Sequence, residues 1–126
     1  MFDRDDLIHS YSRAQALADG VLIDVSATAK EAGIRYPVAL TAAVWARCVA
    51  VPPGVAGQDE AGRLWDAVWL LRLAVGQSDG GPEVRFGVHV RDDNRERTPP
   101  LVRLKAVCGP GDRGEPVVTV MLPDED

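Results

Sequence analysis

The sequence predicts an α+β domain: N-terminal helices, with one short strand among them, packed on a C-terminal three-stranded antiparallel β-meander. Three observations predict it. From residue 84 onward apolar and polar residues alternate. Val84, Phe86, Val88 and Val90 are interleaved with Arg85, Gly87, His89 and Arg91, and Val102, Leu104, Ala106 and Cys108 with Arg103 and Lys105. Period two marks strands with one face buried and one wet. Earlier in the chain, apolar residues recur at the three- and four-residue spacing of helices. Finally, the alternating runs are joined by short connections, which makes consecutive strands antiparallel neighbours.

Taken in order, Ser12 and Gln15 have capping-box spacing and Gly20 supplies a left-handed stop, so Arg13 to Asp19 is expected to be a short helix. Val21 to Val25 is short and apolar, as a buried strand is. Ser26 then caps a second short helix that ends at Gly33. Pro37 suits the first position of a third helix, where a missing N–H costs nothing. Leu40, Val44, Cys48 and Val51 form its stripe, and Pro52-Pro53-Gly54 ends it. The longest helix is expected from about Glu60 to Val75. Leu64, Val68, Leu71 and Val75 form one stripe, and Trp65, Trp69 and Leu73 an adjoining one. A helix apolar almost all round is either central in its domain or covered by a partner. Trp65 and Trp69 are therefore candidates for a partner or homodimer surface, because tryptophan is enriched at binding hot spots as well as in cores.

Gly80-Gly81-Pro82 links this helix to the strands. Asp92 to Arg97 is too polar for anything but a solvated loop, and the third strand runs from Val117 to Leu122. Gly109-Pro110-Gly111-Asp112-Arg113-Gly114 spells G-x-G-x-x-G, the dinucleotide-binding fingerprint. That chemistry needs a following helix whose amides hold a pyrophosphate. Here Glu115-Pro116 leads into a strand, so the motif is expected to be a hairpin turn and no cofactor follows from it.

The 126 residues suit one domain spanning 1–126, with 46% hydrophobic and 26% charged residues. Acidic residues cluster at both ends: Asp3, Asp5 and Asp6, and Asp124, Glu125 and Asp126. A net charge of −5 argues against indiscriminate binding to DNA or anionic membranes. The polar, acidic N-terminus is unlike an export signal, and no run approaches the roughly 20 apolar residues of a membrane span. The expectation is a cytoplasmic protein whose Cys48 and Cys108 are free, buried thiols. His9, His89, Cys48 and Cys108 have no metal-ligand spacing, so no metal is expected. Nor does a catalytic constellation stand out; His89 lies among arginines, a poor setting for a general base.

What remains is the wet face of the strands. Arg85, His89 and Arg91 share one side of the first strand, and Arg103 and Lys105 one side of the second. If those strands pair, Arg85, His89, Arg103 and Lys105 form a basic patch. Like charges on neighbouring strands repel by a few tenths of a kcal/mol or more each. Such a patch either answers an acidic partner or polyanion, or is neutralised by Glu83, Asp92, Asp93 and the acidic tail. It lacks the interleaved aromatics of a base-stacking platform.

Several segments carry a resemblance: Tyr11-Ser12-Arg13-Ala14-Gln15-Ala16-Leu17, Ala18-Asp19-Gly20-Val21-Leu22-Ile23-Asp24-Val25-Ser26, Gly62-Arg63-Leu64-Trp65-Asp66, Leu104-Lys105-Ala106-Val107-Cys108-Gly109-Pro110-Gly111-Asp112, and Val120-Met121-Leu122-Pro123. With these the chain resembles a family of small uncharacterised proteins encoded on bacterial plasmids, integrative elements and phages. The resemblance implies a setting in transfer, maintenance or evasion of host defence, and assigns no residue a role. Three readings stand at this point. The first is a non-enzymatic binding protein of a mobile element, such as an inhibitor of restriction or CRISPR, that contacts a host defence component. The second is a nucleic-acid-binding accessory protein using the basic face. The third is a small enzyme with a site near Asp24 or Asp66.

Overall fold

The computed structural model describes residues 11–126. Helix α1 (Arg13–Ala18) is followed by strand β1 (Leu22–Asp24), helix α2 (Ser26–Glu31) and strand β2 (Val38–Thr41). A short α3 (Ala42–Val44) runs on into a π-helical turn (Trp45–Val49), and then comes the long α4 (Glu60–Gln77). Strands β3 (Glu83–His89), β4 (Leu101–Pro110) and β5 (Pro116–Met121) complete the chain. All five strands belong to one sheet, in the order β1-β2-β5-β4-β3. Its pairs are antiparallel except β2 with β5, which run parallel with Val38 opposite Val118 and Leu40 opposite Val120.

The expected three-stranded antiparallel meander is therefore corrected to a mixed α/β fold with a five-stranded mixed sheet. The error lies at residues 37–51. Their apolar residues match a helix stripe, yet Val38–Thr41 is a strand flanked on both sides. The Val25 N–H donates to the Val38 carbonyl at 2.9 Å, and the Val118 N–H donates to that of Pro37 at 2.9 Å. Val38, Ala39 and Leu40 are all buried, so both faces of β2 are covered. A strand buried on both faces is continuously apolar instead of alternating. Only from Thr41 does the chain turn helical: the Thr41 hydroxyl accepts from the Val44 N–H at 3.2 Å. The Ala50 N–H reaching back to the Trp45 carbonyl closes the π turn.

At the starts of α1 and α4 local chemistry and structure agree, whereas β1, expected to be a buried strand, is an edge strand with Leu22 and Ile23 half-buried and Asp24 exposed. Ser12 and Gln15 form the reciprocal capping box of α1, and Asp59 caps α4 by accepting from Gly62 N–H at 2.5 Å. Ser26 begins α2 without capping it. Its hydroxyl accepts from Val38 N–H at 3.0 Å and donates to Asp24 at 2.5 Å, tying α2 to the β1–β2 pair.

The core lies between one face of the sheet and the layer formed by α2, the π turn and α4. Leu40, Leu104, Val88, Val102 and Val120 from the sheet meet Ala29, Cys48, Val49, Val68 and Leu71. On the opposite face, α1 covers the β1–β2–β5 half. The Arg13 guanidinium donates to the Thr119 hydroxyl at 2.7 Å and to the Val118 carbonyl at 3.0 Å. Near the C-terminus Glu125 accepts from the Thr41 hydroxyl and the Leu122 N–H, both at 2.8 Å, so part of the expected acidic tail is folded back. The acidic Asp3, Asp5 and Asp6, and also His9, lie outside the described residues. Among the described residues, no helix is long and apolar enough to cross a membrane.

Candidate functional site

With α1 over one half of the outer sheet face, the β3–β4 half carries the residues singled out by alternation. Arg85 stands directly opposite Lys105, Gly87 opposite Arg103 and His89 opposite Leu101. All four basic residues thus share one face. Arg85, His89 and Arg103 are exposed, and Lys105 is half-buried. Glu83 is the one acid on the same face of β3, and Arg85 Nε donates to it at 3.0 Å. His89 is held at the strand end by its Nδ1, which donates to the Pro99 carbonyl at 2.8 Å. Gly87 shapes the patch: a Cβ there would lie 2.8 Å from Leu101 Cδ1, so glycine is what lets Leu101 fold over β3. A cavity of about 270 Å³ opens between Arg85, Gly87, Leu101, Arg103 and Pro123.

Trp65 and Trp69 are elsewhere. Their rings stack 6.0 Å apart, 13° from parallel, and they are 38% and 43% exposed. Helical periodicity puts the pair beside Val68 and opposite the mean direction of the buried Arg63, Ala67 and Leu71, on the side of α4 that faces away from the sheet. The tryptophan pair and the basic patch therefore lie on opposite sides of the molecule. Asp24 and Asp66 are not brought together either. Asp24 sits on edge strand β1 and is engaged by Ser26; Asp66 is exposed on α4, which packs against β3 at the other edge.

One further expectation changes, and two hold. Cys108 has the core-facing parity of β4, yet it is exposed. Helix α4 stops short of it, leaving an apolar cleft of about 270 Å³ lined by Tyr36, Val75, Pro82, Val84 and Cys108. Cys48 is buried, and that burial pushes its thiol up to about 11. The G-x-G-x-x-G segment is the β4–β5 turn, with Gly114 at φ +79°. Its Asp112 accepts from the N–H groups of Arg13 and Ala14 at 2.8 and 3.0 Å, and these two bonds hold its carboxyl below the usual range. The loop thus clasps the start of α1 with a carboxylate, a structural use of helix-end amides.

Sequence reasoning missed two features. Arg63 is 6% exposed. Its guanidinium donates to the carbonyl of Ala50 at 2.9 Å, to that of Arg91, to Asp92 at 3.2 Å and to Gln58 at 3.3 Å. Asn94 joins the same two loops by accepting from Ala56 N–H and donating to the Gly54 carbonyl. The segment after the π turn and the β3–β4 loop, the latter expected to be solvated, are locked together. The second missed feature is a groove of about 580 Å³ between α4 and the outer edge of β3. Among the described residues, no three His, Cys, Asp or Glu side chains gather as a metal site.

Residues 1–126 match the sequence model of a family of unknown function, DUF6573. The chain belongs to that family. No curated protein and no solved structure matches it.

Proposed function

We propose that this DUF6573 protein is a non-enzymatic binding module that engages an acidic protein surface through the outer face of β3 and β4. The observation that carries the reading is the direct opposition of Arg85 and Lys105, with Arg103 next along β4, on a half of the sheet that α1 leaves open. Juxtaposed cations cost stability, and a single acid, Glu83, offsets them on β3. An acidic partner removes that cost and is steered to the site by it. The small size of the patch and its lack of aromatic platforms favour a protein over a nucleic acid. In its narrower form, suggested by the resemblance, the partner is a host defence component and the chain acts for a mobile element.

Fluorescence anisotropy against poly-L-glutamate and against duplex DNA, each over a range of salt, tests the proposal. Saturable, salt-sensitive binding of poly-L-glutamate that the double charge reversal R85E/R103E reduces at least tenfold is expected. Binding unaffected by the reversal, or no binding at low salt, overturns it. Preferential DNA binding with a steep salt slope replaces it with the nucleic-acid reading. For the narrower form, expression of the chain should relieve restriction of incoming phage or plasmid DNA, and unchanged restriction rejects it.

A further inference from the structure

We infer that the partner's acidic segment binds as an added β-strand along the free edge of β3, in the groove beneath α4. The inference rests on the basic-face reading above and adds a backbone mode of recognition to it. Among the described residues, strand β3 ends the sheet order and pairs only with β4. The bonding phase follows from two contacts: Cys108 N–H donates to the Pro82 carbonyl at 2.7 Å, and Val90 N–H donates to the Pro100 carbonyl at 3.0 Å. Backbone hydrogen bonding alternates along an antiparallel strand. Val84, Phe86 and Val88 therefore bond to β4. Glu83, Arg85, Gly87 and His89 turn their N–H and C=O groups outward, where the described residues give them no partner.

The edge has the setting an incoming strand needs. The groove is walled on one side by Leu70, Leu73, Ala74 and Gln77 of α4 and on the other by residues 83–87. In a bound strand, alternate side chains point to opposite faces. Residues on the core side would drop their side chains into the groove against Leu73 and Phe86, with Gln77, Ser78 and Asp79 as its polar lining. Residues on the other side would stand beside Arg85 and His89, continuing the row that leads to Arg103 and Lys105. Charge complementarity thus fixes the occupant: an extended segment alternating apolar and acidic residues. Added antiparallel to β3, the segment bonds to it through the N–H and C=O of its acidic residues, which then stand directly opposite Arg85, Gly87 and His89. Strand addition is an established mode of peptide recognition, with affinity from the main chain and specificity from alternate side chains.

That coupling between charge and backbone phase supplies the test. A capped peptide of alternating valine and aspartate, as long as β3, is titrated into the full chain in three forms: unmodified, N-methylated at the aspartates, and N-methylated at the valines. The expected result is binding by the unmodified and valine-methylated forms, and at least a tenfold loss for the aspartate-methylated form. On binding, slowed amide exchange is expected at Glu83, Arg85, Gly87 and His89. Equal binding of all three forms, still weakened by R85E/R103E, overturns strand addition while leaving the basic-face reading intact. Binding of poly-L-glutamate but of none of the peptides does the same. Failure of both ligands removes both. Doubling of the mass in light scattering, with protection of the β3 amides before any peptide is added, assigns the edge to a second copy of the chain and also overturns the inference.

Discussion

Replacing Arg63 with leucine tests the claim that one buried guanidinium fastens the two loops at the start of α4. The substitution removes hydrogen bonds to the carbonyls of Ala50 and Arg91, both in half-buried residues, and the contact with Asp92. Each carbonyl left without a partner costs about 1–2 kcal/mol at this degree of burial. Asp92, whose side chain is 40% exposed, recovers water and adds little. Leucine fills part of the vacated space and returns about 1 kcal/mol of apolar burial. The net expectation is a loss of about 1–3 kcal/mol. Unfolding entropy of about 2.1 cal/mol/K per residue gives roughly 0.26 kcal/mol/K for a 126-residue chain, so the melting temperature should fall by about 4–12 °C. Calorimetry and urea titration followed by tryptophan fluorescence measure both quantities. Arg47→Ala is the control, since Arg47 pairs with the same Asp92 at 3.1 Å but is 46% exposed; it should cost less than about 1 kcal/mol. A loss for Arg63→Leu no larger than that of Arg47→Ala would refute the clamp.

Other expectations follow from single contacts. Burial raises the Cys48 thiol from near 9 to about 11, so the unfolded chain gives up this proton first. The contribution of Cys48 to stability is full below about pH 9 and is lost as pH rises toward 11; Cys48→Ala should flatten the alkaline limb of the melting curve. In iodoacetamide labelling of the native protein, mass spectrometry should find Cys108 modified well before Cys48. The Asp112 carboxyl is held low by the N–H groups of Arg13 and Ala14. Its contribution is present above the ordinary carboxylate range and lost as pH falls through its depressed value. Asp112→Ala should lower the melting temperature at neutral pH, with a difference that shrinks on acidification; an unchanged difference would detach Asp112 from the start of α1. Trp65→Ser and Trp69→Ser leave the core cluster untouched and lose the ring stack with the covered part of each indole, so each should cost about 1–2 kcal/mol. A larger drop in a urea titration would mean that the pair is part of the fold.

Strand and helix placement was legible wherever local chemistry decided it. The capping box at Ser12, the stop at Gly20, the long helix after Asp59 and the alternation in β3 and β4 are all written in neighbouring residues. The face shared by Arg85, His89, Arg103 and Lys105 was legible for the same reason, because parity along two strands joined by one loop leaves little choice. Residues 37–51 were not. Val38, Ala39 and Leu40 are apolar on both sides of the strand, which erases the alternation that would distinguish strand from helix. Arg63 was hidden too, since nothing around it in sequence foretells that residues 50, 58, 91 and 92 converge on its guanidinium.

By itself, then, the sequence determined most of the local elements, the conversion of a G-x-G-x-x-G string into a turn, and which side chains of β3 and β4 share a face. Tertiary structure decided the rest. It inserted β2 beside β5, covered half of the outer face with α1, left Cys108 beyond the end of α4, and opened the groove along β3. Those outcomes depend on contacts between residues some 80 positions apart, such as Val38 with Val118. The free energy of such contacts comes from burying two distant apolar surfaces together, and no local pattern records which distant surface will be the partner.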